Sequence, residues 1–277
     1  MTERETAPPE INTGVPSVAR VYDHFLGGKD NFAADREVVD EVIRAMPPGW
    51  RPSTSALDNR AFLRRAVRYL VRVAGVRQFL DIGSGLPTQG NVHQVAQAAH
   101  PDCRVVYVDN DPIVLVHARA LLARDPGTTV ITADIRRPTE ILDNPVVRDF
   151  IDFQQPVGLL LVGILHHIHD HEDPGGIARR LVAGVPPGSY LAISHFRDPG
   201  PEHPEESELA ARREQIFTER LGVGRWRTQE EIVSFFGDLE LVEPGVVPLQ
   251  EWRPDPGDLI EKHEIYHTFV GGVGRKR

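Results

Sequence analysis

Three aspartates that follow successive apolar runs are the residues of this chain best placed to do chemistry together. Asp81 closes Phe79-Leu80 and opens the segment Asp81-Ile82-Gly83-Ser84-Gly85; Asp109 ends Val105-Val106-Tyr107-Val108; Asp134 follows the run at 128–132. Short apolar runs of this kind read as buried strands. Two closely spaced glycines after a strand let backbone approach a ligand, and an acid at the next strand's tip accepts hydrogen bonds from ribose hydroxyls. The pattern predicts a site for an adenosine-containing cofactor.

The details select among such cofactors. A dinucleotide fingerprint has the form G-x-G-x-x-G, with a third glycine for close helix packing and a helix N-terminus facing pyrophosphate. Here Thr88 stands at the third glycine position, after Pro87, and Gly90 comes two residues late. Asp81, two residues before the first glycine, would repel a pyrophosphate and attract an ammonium. The cofactor that carries an ammonium together with adenosine is S-adenosylmethionine, and it is the one expected here.

Candidate bases follow the fourth apolar run. Residues 166–173 read His-His-Ile-His-Asp-His-Glu-Asp. Metal sites draw their ligands from separated segments with fixed geometry, so no metal is expected from this contiguous loop. Imidazole titrates near neutrality, which makes His166 and His167 candidates for a general base. His195, at the end of the fifth run, could deprotonate an acceptor or simply cap its strand. Trp226 and Trp252 could roof an acceptor pocket, with ordinary packing as the default.

The elements that must position these groups are legible from periodicity. Val18, Val21, Tyr22, Phe25 and Leu26 form a helical stripe that stops at Gly27-Gly28. A second helix carries Val38, Val39, Val42, Ile43 and Met46 and ends at Pro47-Pro48-Gly49; a third runs from about Leu57 to Val73. Strands and helices then alternate: strands at 78–82, 104–108, 128–132, 156–164 and 188–194, helices at 89–99, 112–123, 138–149 and 173–184. Such alternation demands a mostly parallel sheet with right-handed crossovers. Beyond a Pro/Glu-rich segment lie helices near 209–221 and 228–236. The late strands, Leu239–Val242 with Val246–Pro248 and Ile265–Val270, lie too close together for helical crossovers and are expected to pair antiparallel at the sheet edge.

At 277 residues the chain can bury one full core. Its net charge of −9, with 31 basic against 40 acidic side chains, argues against nucleic acid as partner. No apolar run approaches a membrane span, and the N-terminus lacks an export signal. The single cysteine, Cys103, excludes an internal disulfide, fits a reducing cytoplasm, and reads as packing.

The succession Asp81-Ile82-Gly83-Ser84-Gly85, Asp109 and Ala133-Asp134-Ile135 resembles class I S-adenosylmethionine-dependent methyltransferases. The blocks Ser17 to Phe32, Asn59 to Arg64, Gly85 to His93 and Val106 to Pro112 are similar to one actinobacterial group. That group was long catalogued as a domain of unknown function and later labelled S-adenosyl methyltransferase. The likeness runs from Ser17 to about Val270. It implies that Gly83 and Gly85 cradle the methionyl part, that Asp109 holds the ribose, and that Asp134 with the Ile135 amide reads the adenine. Thr88 and Asn110, inside the matching blocks, are expected to join them. The segment Gly163 to Ile168 looks like the part that lines the reactive end of the cofactor.

The fold expected is α/β, a Rossmann-like class I methyltransferase sheet, mostly parallel, with a C-terminal antiparallel hairpin and an N-terminal helical cap. Residues 1–16 are expected to be a disordered tail, 17–75 the cap and 76–277 the core that binds S-adenosylmethionine. Polar residues between two apolar helices suggest that Tyr22, Gly28, Asp30 and Asn31 belong to a lid over the cofactor; the alternative is that Asp30 or Asn31 caps the second helix. Asn59 and Arg60 could reach the same pocket or face solvent. The expected activity is methyl transfer to an oxygen or nitrogen of a small-molecule acceptor. A non-catalytic S-adenosylmethionine-binding protein is the alternative, and a nicotinamide-dependent oxidoreductase a third class.

Overall fold

The computed structural model describes residues 12–51, 53–87, 90–122 and 125–277. Three helices come first: α1 (Val18–Phe25), α2 (Ala33–Ala45) and α3 (Ser53–Arg72). The alternating section contains β1 (Gln78–Ile82), α4 (Val92–Ala99), β2 (Arg104–Asp109), α5 (Pro112–Leu122) and β3 (Thr128–Thr132). It continues with α6 (Pro138–Leu142), α7 (Pro145–Phe150), β4 (Val157–Val162), α8 (Pro174–Ala183) and β5 (Tyr190–Phe196). The chain ends with α9 (Pro204–Leu221), α10 (Gln229–Ser234), the two-residue strands β6 (Glu240–Leu241) and β7 (Val247–Pro248), and β8 (Phe269–Arg275).

The eight strands form one sheet in the order β3-β2-β1-β4-β5-β8-β6, with β7 also on β8. The first five strands pair in parallel, and β8 pairs antiparallel with β5 over seven residues. Strand order reverses between β1 and β4, and at such a reversal the flanking loops diverge and leave a crevice beyond the carboxyl ends of the strands.

Alternation along each strand divides the core into two layers. Phe79, Val105, Leu160 and Ala192 pack with Phe62, Ala66 and Leu70 of α3 and Ala96 of α4. Leu80, Val106, Leu159, Leu161 and Leu191 face the opposite way, against Ile141 of α6 and Ile177 and Leu181 of α8. The expected cap therefore has two parts: α3 is a layer of the core, while α1 crosses the strand tips.

Several boundaries differ from the sequence reading. The helix expected at 138–149 is two short helices, because Pro145 lacks an N–H and starts a new helix whose N-cap, Asn144, accepts from the Val146 N–H at 2.9 Å. α9 starts five residues early, at Pro204, a favourable first helical position. The strand expected at Ile265–Val270 is β8 at 269–275, which lies between β5 and the short edge strands. Its Gly271, Gly272 and Gly274 interrupt the apolar pattern that marks a strand. Of the expected tail, residues 1–11 lie outside the described residues; at 12–16 the carbonyls of Asn12 and Val15 accept from Arg20. No helix among the described residues is long and apolar enough to cross a membrane.

Candidate active site

A cavity of about 370 Å³ opens at the reversal between β1 and β4. Its floor is the turn after β1, where Gly83 and Gly85 take φ of 74° and 65°, in the left-handed region. Gly83 also has no room for a side chain, since a Cβ there would sit 2.5 Å from Ile164 Cγ1 in the loop after β4. The turn is tied to the neighbouring strand by Gly83 N–H donating to Val108 O at 2.8 Å. Gly85 N–H donates to Asp109 Oδ2, also at 2.8 Å.

The three strand-tip acids all line this cavity, together with Asn110 and Ile135. Asp109 accepts from the backbone N–H of Gly85 and, at 2.9 Å, of Asp111. Burial raises its pKa and these backbone bonds oppose the rise. A backbone bond from Asn110 acts on its pKa in the same direction. Asp134 accepts from Arg136 N–H at 2.9 Å and meets its guanidinium at 3.2 Å; Arg136 in turn reaches Glu172 at 2.9 Å.

Asp81 lies on the same face of β1 as Phe79, two residues away, and so faces α3. It is only 6% exposed, and burial pushes its carboxyl up to about 7; Arg60 opposes that shift and Asp109 adds to it. Arg60 is the feature that sequence reasoning left open between pocket and solvent. It is buried, lines the cavity, and its Nε–H has no hydrogen-bond partner. Its guanidinium sits 5.7 Å from the centre of the Tyr22 ring. Tyr22 is itself fixed by a relay in which Ser194 Oγ donates to Asn59 Oδ1 at 2.6 Å and Asn59 Nδ2 to Tyr22 Oη at 3.0 Å. Its hydroxyl donates onward to Ala56 O at 3.2 Å.

Other expected contacts are not brought to the cavity. Gly28, Asp30 and Asn31 do not line it, because their loop is knitted to Asp23 instead. Asp23 Oδ2 accepts from Asp30 N–H at 3.0 Å and Asn31 Nδ2 at 2.9 Å. A Cβ on Gly28 would collide with the same carboxylate, at 1.9 Å. Neither Asp30 nor Asn31 caps α2; the fully buried Asp35 reaches back to the Phe32 N–H at 2.8 Å. Asp35 also holds Arg20 at 2.9 Å and the Ser17 N–H at 2.9 Å, so it braces α1. The wall over the strand tips is α1 with the residue before it: Ser17, Val18 and Tyr22 line the cavity. Thr88 lies outside the described residues.

The histidines separate. His195 does not line the cavity: it is fully buried, Nδ1–H donates to Phe196 O at 2.6 Å, and Nε2 accepts from Arg227 at 2.9 Å. Burial, with Arg227 beside it, pulls its pKa to about 3, so the expectation that it acts as a base is corrected. Arg227 also binds Asp170 at 2.7 Å and the Leu165 and Ile168 carbonyls, which holds the histidine loop in place. His166 and His167 both line the cavity. The Phe196 N–H donates to His166 Nδ1 at 3.4 Å, which leaves the ring proton on Nε2. In His167 the reverse holds: Nδ1–H donates to Val223 O at 3.4 Å and Nε2 keeps its lone pair. Burial lowers its pKa to about 4. His169 and His171 stack on each other, away from the cavity. Neither Trp226 nor Trp252 lines it; both are core.

A family model described as S-adenosyl methyltransferase matches residues 4–277. The chain belongs to that family. Its cofactor is S-adenosylmethionine. Two of the solved structures the chain resembles share more than 40% of its residues. One, from Thermobifida fusca YX and solved as a candidate methyltransferase, is 45% identical, covers 99% of this chain and 100% of its own, and has a TM-score of 0.90. The other, a DUF574 family protein from Streptomyces avermitilis MA-4680, is 41% identical, covers 96% and 99%, and has a TM-score of 0.87. No curated protein matches. The donor set fits the cofactor: a buried guanidinium with a free N–H stands near a buried carboxyl, as the two ends of an amino-acid group require, beside a glycine cradle.

Proposed function

We propose that this methyltransferase-family protein transfers a methyl group from S-adenosylmethionine to an oxygen or nitrogen of a small-molecule acceptor. The supporting observation is that a single cavity joins the acid-tipped strand ends to an aromatic region lined by Phe196, Phe217 and Phe269, with His167 among its walls. On this reading Asp81 pairs with the cofactor's ammonium, Arg60 with its carboxylate, and the Gly83–Gly85 turn takes the methionyl chain. Asp109, with Asn110, receives the ribose hydroxyls, and Asp134 and Ile135 receive the adenine. Tyr22, held by Asn59, closes the cavity from α1.

Bound there, the sulfonium supplies an electrophilic methyl group. Orientation and exclusion of water are then the main tasks of the protein. The apolar side chains of α1, Val18, Val21 and Phe25, serve the second. His167 is proposed as the proton acceptor. A ring held neutral down to about pH 4 does not ionise a hydroxyl in advance. It takes the proton through Nε2 as the acceptor oxygen loses charge to the incoming methyl, while Val223 O steadies Nδ1–H. The test is incubation with S-adenosylmethionine and a panel of phenols and amines, followed by mass spectrometry. Methylated product with equimolar S-adenosylhomocysteine is expected. Tight cofactor binding without product from any acceptor would overturn the catalytic reading.

A further inference from the structure

The acceptor end of the cavity holds one feature that methyl transfer itself does not require. Arg213 of α9 lines the cavity and is only 5% exposed. Its Nε–H has no partner, and Nη1 reaches Thr268 Oγ1 only at 3.4 Å. Of the other buried arginines among the described residues, three hold an oxygen at 2.9 Å or closer and the fourth faces a carboxyl. Arg20 has Asp35, Arg227 has Asp170, Arg65 has the Trp252 and Leu249 carbonyls, and Arg60 has the Leu86 carbonyl with Asp81 facing it. Beside the Thr268 hydroxyl, Arg213 meets the faces of Phe196 and Trp226, at 5.5 and 5.1 Å, and the neutral ring of His166. Among the described residues no carboxylate offsets its burial, which draws its pKa down to about 10. A buried cation without a counter-charge is costly, and persists where a ligand brings the charge.

We infer that the acceptor is a small aromatic acid whose carboxylate pairs with Arg213. A single guanidinium balances one negative charge, which fits a carboxylate better than a phosphate dianion, and its planar fork matches carboxylate geometry. Phe196, Phe217 and Phe269 offer ring surfaces for the aromatic body. The inference rests on the methyltransferase reading above, and the experiment separates the two.

The full chain is first titrated with S-adenosylhomocysteine by calorimetry. The saturated complex is then titrated with 4-hydroxybenzoate, 4-hydroxycinnamate and 4-aminobenzoate, each beside its neutral methyl ester. At least one acid is expected to bind at least about tenfold tighter than its ester, the range of a charge-assisted hydrogen-bonded pair. In Arg213→Met the preference collapses to within about twofold, and in Arg213→Lys part of it returns. Thermal unfolding guards against a folding artefact: Arg213→Met is expected to raise Tm by removing an unpaired buried charge, where a structural arginine would lower it. Equal binding of acids and esters, tighter binding of esters, or an acid preference that survives Arg213→Met overturns the inference while the cofactor reading stands. Absence of S-adenosylhomocysteine binding by folded protein overturns both.

Discussion

The ammonium pairing proposed for Asp81 makes cofactor binding dependent on pH in a calculable way. The carboxyl lies on the cavity floor with a pKa of about 7, facing Arg60 and Asp109, and only its ionised form can pair with an ammonium. The protonated fraction must release its proton on binding, so affinity scales with the fraction already ionised. That fraction is roughly one in eleven at about pH 6 and three in four at about pH 7.5, an affinity gain of about eightfold. Calorimetric titration of S-adenosylhomocysteine across this pH window gives the slope directly. Repeating the titration near pH 7 in buffers of different ionisation enthalpy should show about half a proton released per ligand bound. Asp81→Asn keeps the shape and removes the charge; it should lose about 2–3 kcal/mol of affinity, roughly 30- to 150-fold, and the pH slope with it. Wild-type affinity that is flat across the window, or a slope that survives in Asp81→Asn, would refute the pairing.

Other outcomes follow from the same geometry. Arg60→Met should weaken S-adenosylhomocysteine binding by about tenfold or more, and should move the midpoint of the pH profile upward because Asp81 loses its opposing cation. Gly83→Ala combines a left-handed backbone cost of about 1–2 kcal/mol with a collision against Ile164, so both Tm and affinity fall; adding Ile164→Ala should restore only part of either. In acid, His167 and His195 stay neutral in the folded chain to about 4 and about 3, while the unfolded chain protonates them near 6.5. Their depressed values therefore remove stability as pH falls, about 2 kcal/mol per ring between roughly pH 7 and 5, and His166 acts in the same direction. The raised value of Asp81 has the opposite sign over that interval, so Asp81→Asn should unfold more steeply in acid than wild type, which thermal melts at stepped pH would measure. Asn31→Ala should cost about 1–2 kcal/mol of stability with affinity changed less than about twofold; lost affinity at unchanged stability would return the 28–31 loop to the binding surface.

The strand-tip acids were readable in the sequence because each closes an apolar run, and a parallel sheet brings such tips to one edge. What periodicity does not carry is the direction of a polar side chain on a mixed helix. Arg213 sits among solvent-facing residues in sequence and Arg60 beside buried ones, and it is the packing of α3 and α9 that turns both charges to the cavity. Asp35 was invisible for a related reason: its importance comes from bonds to Arg20 and Ser17 that depend on how α1 and α2 meet. His195 misled because a strand-end position marks closeness to the site, whereas Arg227, thirty-two residues further along, decides which way its ring is used. The 28–31 loop misled similarly, since polar composition cannot separate ligand contacts from self-contacts.

Because the cavity has one wall of strand tips and another drawn from α1, α3 and α9, its two halves answer to different physical demands. The strand wall is rigid, held by the sheet's own hydrogen-bond ladder. The helical wall depends on a few braces, among them Ser17 to Asp111 and Arg20 to Asp35. A sheet deprived of its first forty-five residues could therefore keep every strand in register and still present only half a container, open to water along the side where the reactive carbon must stay dry.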